Sequence, residues 1–203
     1  MEAEGEMSER MVALGCDPGL AKFGWALVEL GDKWSILEVG CIETVSGTAT
    51  AGVTASEDLA RRGRQLHAEI LLALANHSIH PAIICAEAMS YPRVPGKGGK
   101  GSTIMPKPVA QLGYAWGVIC ALSNELDGAP VCHASPQAIK KAICGAANAS
   151  KAQVQAQLEA MYGARIFEGL NKGKVDHASD ALGAVVACRN QEAMRMAARI
   201  AGG

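Results

Sequence analysis

The sequence predicts a single α/β domain, and three patterns predict it: short β-prone runs broken by turn signals at the start, one wholly apolar stretch near the middle, and helical spacing through most of the rest. Its 203 residues are enough for one well-formed core. Hydrophobic residues make up 49% and charged residues 19%, the ordinary globular range, and no apolar run is long and unbroken enough to cross a bilayer, so a soluble protein is expected.

Val12 to Cys16 is β-prone and stops at the turn signal Asp17-Pro18-Gly19; Gly24 to Val28 resumes the pattern, so Asp17 falls at the rim of a hairpin. Trp34 to Val39 and Gly40 to Val45 extend it to about three antiparallel strands. After a Ser/Gly/Thr/Ala loop, Ser56 is the expected N-cap of a helix with Glu57 and Asp58 in its first turn, and Leu59, Leu66, Ile70, Leu71 and Leu74 recur at helical spacing to about Asn76. Pro81 opens Ala82 to Ala86, apolar without alternation, as for an interior strand covered on both faces; it ends at Glu87. From Tyr91 to Pro108 the segment YPRVPGKGGKGSTIMPKP holds too much Gly, Pro and Lys to pack, and a mobile loop is expected.

Val109 to Leu126 reads as helix, with Gly113 and Gly117 permitting close approach of another backbone. Val131 to His133 is a short strand, Pro136 opens a helix to about Ile143, Gly145 to Ala149 turns, and Ser150 caps a helix to about Tyr162. A loop over 163–174 and a helix from Asp176 to about Arg199 complete the order βββ-α-β-α-β-α-α-α. Residues 1–10 are acidic, unlike a secretory or transit peptide, and read as a disordered leader, with Met11 an alternative start.

Seven cysteines are scattered singly beside apolar residues without paired ligand spacing. They fit buried thiols in a reducing cytoplasm and argue against zinc. A net charge of −1 gives no global pull toward nucleic acid, so phosphate binding requires local basic groups. Arg93, Lys97, Lys100 and Lys107 form one such stretch, and Lys140, Lys141 and Lys151 surround a Gly/Ala-rich turn; either alone is equally well a solvated surface.

Four positions carry the chemistry. Asp17 and Glu87 each end an apolar strand, and His177 and Asp180 lie three apart, on one face of a helix, with Asp176 four before Asp180. Clustered carboxylates repel one another unless a cation compensates them. Carboxylate oxygens suit magnesium, the histidine also suits manganese, and two such ions about 4 Å apart can activate water and stabilise the leaving oxygen of a phosphoryl displacement. Taken singly, each has a structural reading: Asp-Pro-Gly as a plain turn, and His177 with Asp180, or Asp176 above all, as a helix N-terminal capping cluster.

In LGCDPGLAKFGWALVE, GCIET, IICAEAMS, LGYAWGV, SPQAIKKAICGAANASKAQVQAQL and DHASDALGAVVAC, ordered and spaced as they are from about Val12 to Cys188, the chain resembles the RuvC family of Holliday junction resolvases, within the ribonuclease H-like superfamily; a divergent or phage-type member fits. The resemblance implies a five-stranded mixed sheet flanked by helices, with the nuclease domain over 11–190 and a helical tail over 191–203. It further implies a homodimer and magnesium-dependent, paired symmetric nicking of four-way DNA in recombination and repair, leaving 5′-phosphates. By position, Asp17, Glu87, His177 and Asp180 match the catalytic tetrad, and Lys140 and Lys151 match basic residues near the scissile phosphate. Where the family often carries an aromatic three after the strand-end glutamate, this chain has Ser90, with Tyr91 beside it as a substitute.

Tyr91, Arg93, Lys97, Lys100, Lys107 and Lys141 are accordingly expected to contact DNA alongside Lys140 and Lys151. The central helix, with Gly113 and Gly117 flanked by Tyr114 and Trp116, is a candidate dimer interface, packing on its own sheet being the equal alternative. Alternative activities are a broader fork or flap endonuclease and an RNA-processing nuclease of the same superfamily. An actin-like or sugar-kinase ATP-binding protein needs two such domains, for which the chain is too short. A junction binder without catalysis has no use for clustered carboxylates.

Overall fold

The computed structural model describes residues 10–47, 52–89, 93–95, 102–104 and 106–201. The first three β-prone runs form an antiparallel meander of β1 (Val12–Asp17), β2 (Lys22–Glu29) and β3 (Ser35–Glu43). The apolar middle stretch is β4 (Ile83–Glu87), which pairs in parallel with β1 on one side and β7 (Val131–Ala134) on the other. The result is a five-stranded mixed sheet in the order β3-β2-β1-β4-β7.

Alternation along the strands sorts the core into two layers. Ala13, Ala26, Val28, Ile83 and Cys85 face α3 (Pro136–Cys144), α4 (Lys151–Tyr162) and α5 (Lys172–Cys188), meeting Ile139, Leu158, Ala181 and Val185. Leu14, Phe23, Leu27 and Ile84 face α1 (Ala55–Asn76) and α2 (Pro106–Glu125), meeting Leu66, Ile70, Ile119 and Leu122. With a helix layer on each face, β4 has no solvated side, which is why its sequence lacks alternation.

Four boundaries differ from the sequence reading. The N-cap of α1 is Thr54, not Ser56: Glu57 lies three residues after Thr54, and the two close a reciprocal capping box. The helix of Val109 already begins at Pro106, since proline is tolerated in a first turn. Asn171 caps α5, so the loop expected over 163–174 is shorter and Asp176 lies inside the helix instead of at its cap. The single helix expected from Asp176 to Arg199 is two, because α5 stops at Cys188 and α6 (Glu192–Ala201) follows. The break is tied down from outside: the Gln191 side-chain amide donates to the His133 carbonyl at 2.8 Å, and the Arg189 guanidinium lies 4.9 Å from the Trp34 ring centre.

Within the expected loop, β5 (Arg93–Pro95) and β6 (Ser102–Ile104) pair antiparallel. Lys97, Lys100, Ser90, Tyr91 and the leader 1–9 lie outside the described residues. Among the described residues no helix is long and apolar enough to cross a membrane.

Candidate active site

β1, β4 and β7 run in the same direction, so their carboxyl ends share one edge of the sheet, where open α/β sheets place ligands. Ala13, Gly15 and Asp17 alternate onto the α5 face, as do Ile83, Cys85 and Glu87. Because Cys16 pairs with Ala86, Asp17 and Glu87 leave neighbouring strands side by side.

Helix α5 brings the other two groups. Its seat requires two glycines the sequence reading did not single out: a Cβ at Gly24 would lie 2.1 Å from the His177 carbonyl oxygen, and one at Gly15 would lie 2.4 Å from that of Ala181. Glycines in strand interiors, on one face, were the available signal of such close approach. So seated, His177 Nδ1 is 2.6 Å from Asp17 Oδ2, the ring nitrogen donating when it carries the proton. Asp180 Oδ2 accepts from Lys151 Nζ at 3.2 Å, and Asp176 lies 3.7 Å from the same ammonium. Lys151 is the first residue of α4, held there by the capping box of Ser150 and Gln153.

The cluster is short of positive charge. Burial, then the neighbouring Asp17 and Asp180, push the Glu87 carboxyl up to about 7, with Lys151 and His177 offsetting only part of this. Burial likewise raises Asp180 above the usual carboxylate range, against the pull of Lys151. Burial would lower the Lys151 ammonium, but Asp180, Asp176 and Asp17 outweigh it and raise the group. Lys151 thus serves as the local counter-charge for acids drawn from β1 and α5.

The structure therefore brings together Asp17, Glu87, His177, Asp180 and Lys151, with Asp176 at the margin. Among the described residues no three acid, histidine or cysteine side chains converge tightly enough to grip one ion, since Asp17 is turned to His177 and Asp180 to Lys151. Lys140 and Lys141 lie on α3 and make no ion pair with any described residue, and Lys107 is exposed on the first turn of α2. Arg93 is described only by its place on β5.

Sheet order, flanking helices and an acidic cluster at the carboxyl edge define a ribonuclease H-like nuclease scaffold. The family model for crossover junction endodeoxyribonuclease RuvC matches residues 103–189. The chain is 32% identical over 203 residues, 97% of it and all of the relative, to a crossover junction endodeoxyribonuclease RuvC from Brucella ovis, and 33% identical over 156 residues, 76% and 77% of the two chains, to that of Brucella anthropi. Among solved structures it superposes on Thermus thermophilus RuvC in complex with a Holliday junction substrate, with TM-score 0.67 and 23% identity, covering 91% and 96% of the two chains. It also superposes on the yeast mitochondrial Holliday junction resolvase Ydc2, with TM-score 0.58 and 14% identity, covering 98% and 86%. The chain belongs to the RuvC family of crossover junction endodeoxyribonucleases, as its motifs had indicated.

Proposed function

We propose that this chain is a metal-dependent endonuclease that resolves four-way DNA junctions by paired, symmetric nicking. The observation that carries the reading is the set of three carboxylates from β1, β4 and α5 at the sheet edge, with Glu87 held up to about 7 by burial and then by the neighbouring Asp17 and Asp180. The donors fit a hard divalent cation: carboxylate oxygens predominate, Lys151 supplies one charge only, and a second cation relieves the repulsion that raises Glu87. Asp17, Glu87, Asp180 and His177 would hold two magnesium or manganese ions, which supply a polarised attacking water and neutralise charge on the leaving oxygen.

The protein's own groups do the rest. Asp17 orients the His177 ring through the 2.6 Å contact, and the strands hold Asp17 and Glu87 more rigidly than a loop can. Lys151, and Lys140 from α3, face charge developing on the phosphate. Tyr91, Arg93, Lys97, Lys100, Lys107 and Lys141 contact the arms, a sequence-independent contribution that weakens with salt. The proposed organisation is a nuclease domain over 11–190 with a helical tail behind it, working in the cytoplasm, where its seven free thiols stay reduced.

Two symmetric cuts call for two active sites related by a two-fold axis, and α2 offers the surface. Among the described residues a Cβ at Gly113 or Gly117 would meet nothing within 4 Å, so these glycines are not spent on packing against them, and Tyr114 beside them is 41% exposed. Equilibrium sedimentation giving only monomer, with and without junction DNA, would remove the paired-cut model.

The direct test incubates the protein with a labelled four-way junction, a fork, a linear duplex and a structured RNA, in magnesium, manganese or EDTA. Cleavage of the junction in metal, lost in Asp17→Asn and Asp180→Asn while both still bind it, is the expected result. Preferred cutting of fork or RNA, or full activity in both variants, refutes the proposal.

A further inference from the structure

One cluster of charges beside the acidic site has no part in the chemistry just described. Glu43, the last residue of β3, is paired in register with Lys22, the first of β2, and Lys22 stands on the same strand face as Gly24. That face is the one α5 covers, since Gly24 lies against His177. One turn before His177, α5 presents Lys174 to the same carboxylate. Lys22 Nζ lies 3.2 Å from Glu43 Oε1 and Lys174 Nζ lies 3.4 Å from Glu43 Oε2, so each ammonium takes one oxygen. Lys22 also reaches the Gly173 carbonyl at 3.5 Å. The two hydrogen bonds hold the Glu43 carboxyl below its usual range, so it stays ionised and the trio keeps a net positive charge.

Its position gives that charge a use. The trio sits at the same sheet edge as Asp17, which pairs in register with Gly24 two residues along β2 from Lys22. Lys151 approaches the acids from α4 through Asp180 and Asp176, whereas Lys22 and Lys174 stand by the His177 end of α5 and the β2–β3 side of the sheet. The acidic site is therefore flanked by cations on two sides. Side-chain exposures of 38% for Lys22, 30% for Lys174 and 42% for Glu43 leave all three open to a ligand. A purely structural tie between strands and helix needs one lysine; a second, sharing the carboxylate, leaves an ammonium only partly neutralised beside a site that must hold a polyanion.

We propose that Lys22 and Lys174 grip a backbone phosphate of the DNA strand being cut, on the side of the acidic cluster away from Lys151, and that Glu43 is a positioning residue that holds the two ammonium groups in place and limits how tightly the strand is retained. This rests on the nuclease reading above. Each lysine that neutralises a phosphate releases counterions, so its contribution shows in the salt dependence of binding.

The test measures anisotropy of a fluorescent four-way junction with the full chain in EDTA over a range of salt, together with cleavage in magnesium. Lys22→Gln and Lys174→Gln should each weaken binding several-fold and flatten the slope of log K against log salt by about 0.9. Their loss in cleavage should fall on KM more than on kcat, and the arginine variants should restore binding. Glu43→Gln should tighten binding and slow product release. Affinities and slopes equal to wild type in all three glutamine variants, with only a lowered Tm, would make the trio a structural tie and overturn the proposal. A wild-type chain that binds and cuts the junction while its variants match it refutes this inference alone; a wild-type chain that binds no branched DNA refutes the nuclease reading with it.

Discussion

Asp58 and Glu87 are both acids placed among core residues, on opposite sides of the sheet, and their carboxyl groups are driven in opposite directions. Asp58, on α1, accepts from the Gly47 N–H at 2.7 Å, from Ser46 Oγ at 3.2 Å and from Arg61 at 2.8 Å, with Arg62 at 3.5 Å. The Gly47 amide and Arg61 above all hold it down to about 2. Its partners run on through the fold: Arg62 Nε donates to Thr44 Oγ1 at 2.7 Å, and Thr44 donates to the Leu20 carbonyl, pinning α1 to the end of β3 and to the turn after Asp17. Glu87 accepts no such bonds among the described residues, and burial, then the neighbouring Asp17 and Asp180, push it up to about 7. A buried acid whose hydrogen bonds are complete is a strut, and one left facing other acids is a place for something the chain does not supply.

The sharpest way to break this contrast is to neutralise one acid of each kind. Asp180→Asn should lower single-turnover junction cleavage by at least about a hundred-fold. Its Tm in metal-free buffer should hold or rise. Asp58→Asn should do the reverse, with a clear loss of Tm and a cleavage rate per folded molecule near wild type at low temperature. Equal losses of Tm in the two variants would erase the distinction.

The pH dependence should also run in opposite senses. Glu87 binds its proton more readily folded than unfolded, so the stability it contributes is complete below about 4.5 and is lost as pH rises through about 7. Asp58 contributes stability that is present above its ordinary value of 3.8 and is lost as pH falls toward about 2. Glu87→Gln should therefore raise the metal-free Tm at pH 8 and lose that gain by pH 5. A gain independent of pH would show that the carboxylate is not the strained group.

A smaller effect sharpens the geometry. Gly24→Ala forces a Cβ against the His177 carbonyl and should cost about 1–3 kcal/mol of stability, as overpacking does, while slowing cleavage by displacing α5. Smaller still, Asp176→Asn should be milder than Asp180→Asn, because Asp176 stands 3.7 Å from Lys151 where Asp180 stands at 3.2 Å and is the more enclosed. The opposite ranking would place the wrong acid in the site.

What was legible in the sequence is whatever one element decides by itself. The strand-end acids Asp17 and Glu87, the apolar run of β4, the cap Ser150 and the helix-opening Pro136 are local signals, and the meander and the parallel middle strands followed them. That His177 and Asp180 share one face of a helix was visible from helical spacing. The inward turn of Asp58 was not: a first-turn acid reads as a partner of the helix dipole until Gly47 and Ser46 are brought to it by the chain's return. The break at Arg189 to Gln191 was hidden for the same reason, as it depends on Trp34 and His133, more than 50 residues away in sequence. The Lys22–Glu43–Lys174 trio draws on three elements, and no spacing along the chain announces it.

The most direct measurement is calorimetric titration of magnesium and of manganese into the protein bound to a four-way junction, in wild type and in Asp180→Asn. Uptake by the wild-type complex of two ions per active site, greatly weakened in Asp180→Asn, is the predicted result. Equal uptake by the two, or none by either, would contradict the claim that Asp17, Glu87 and Asp180 form a cation site.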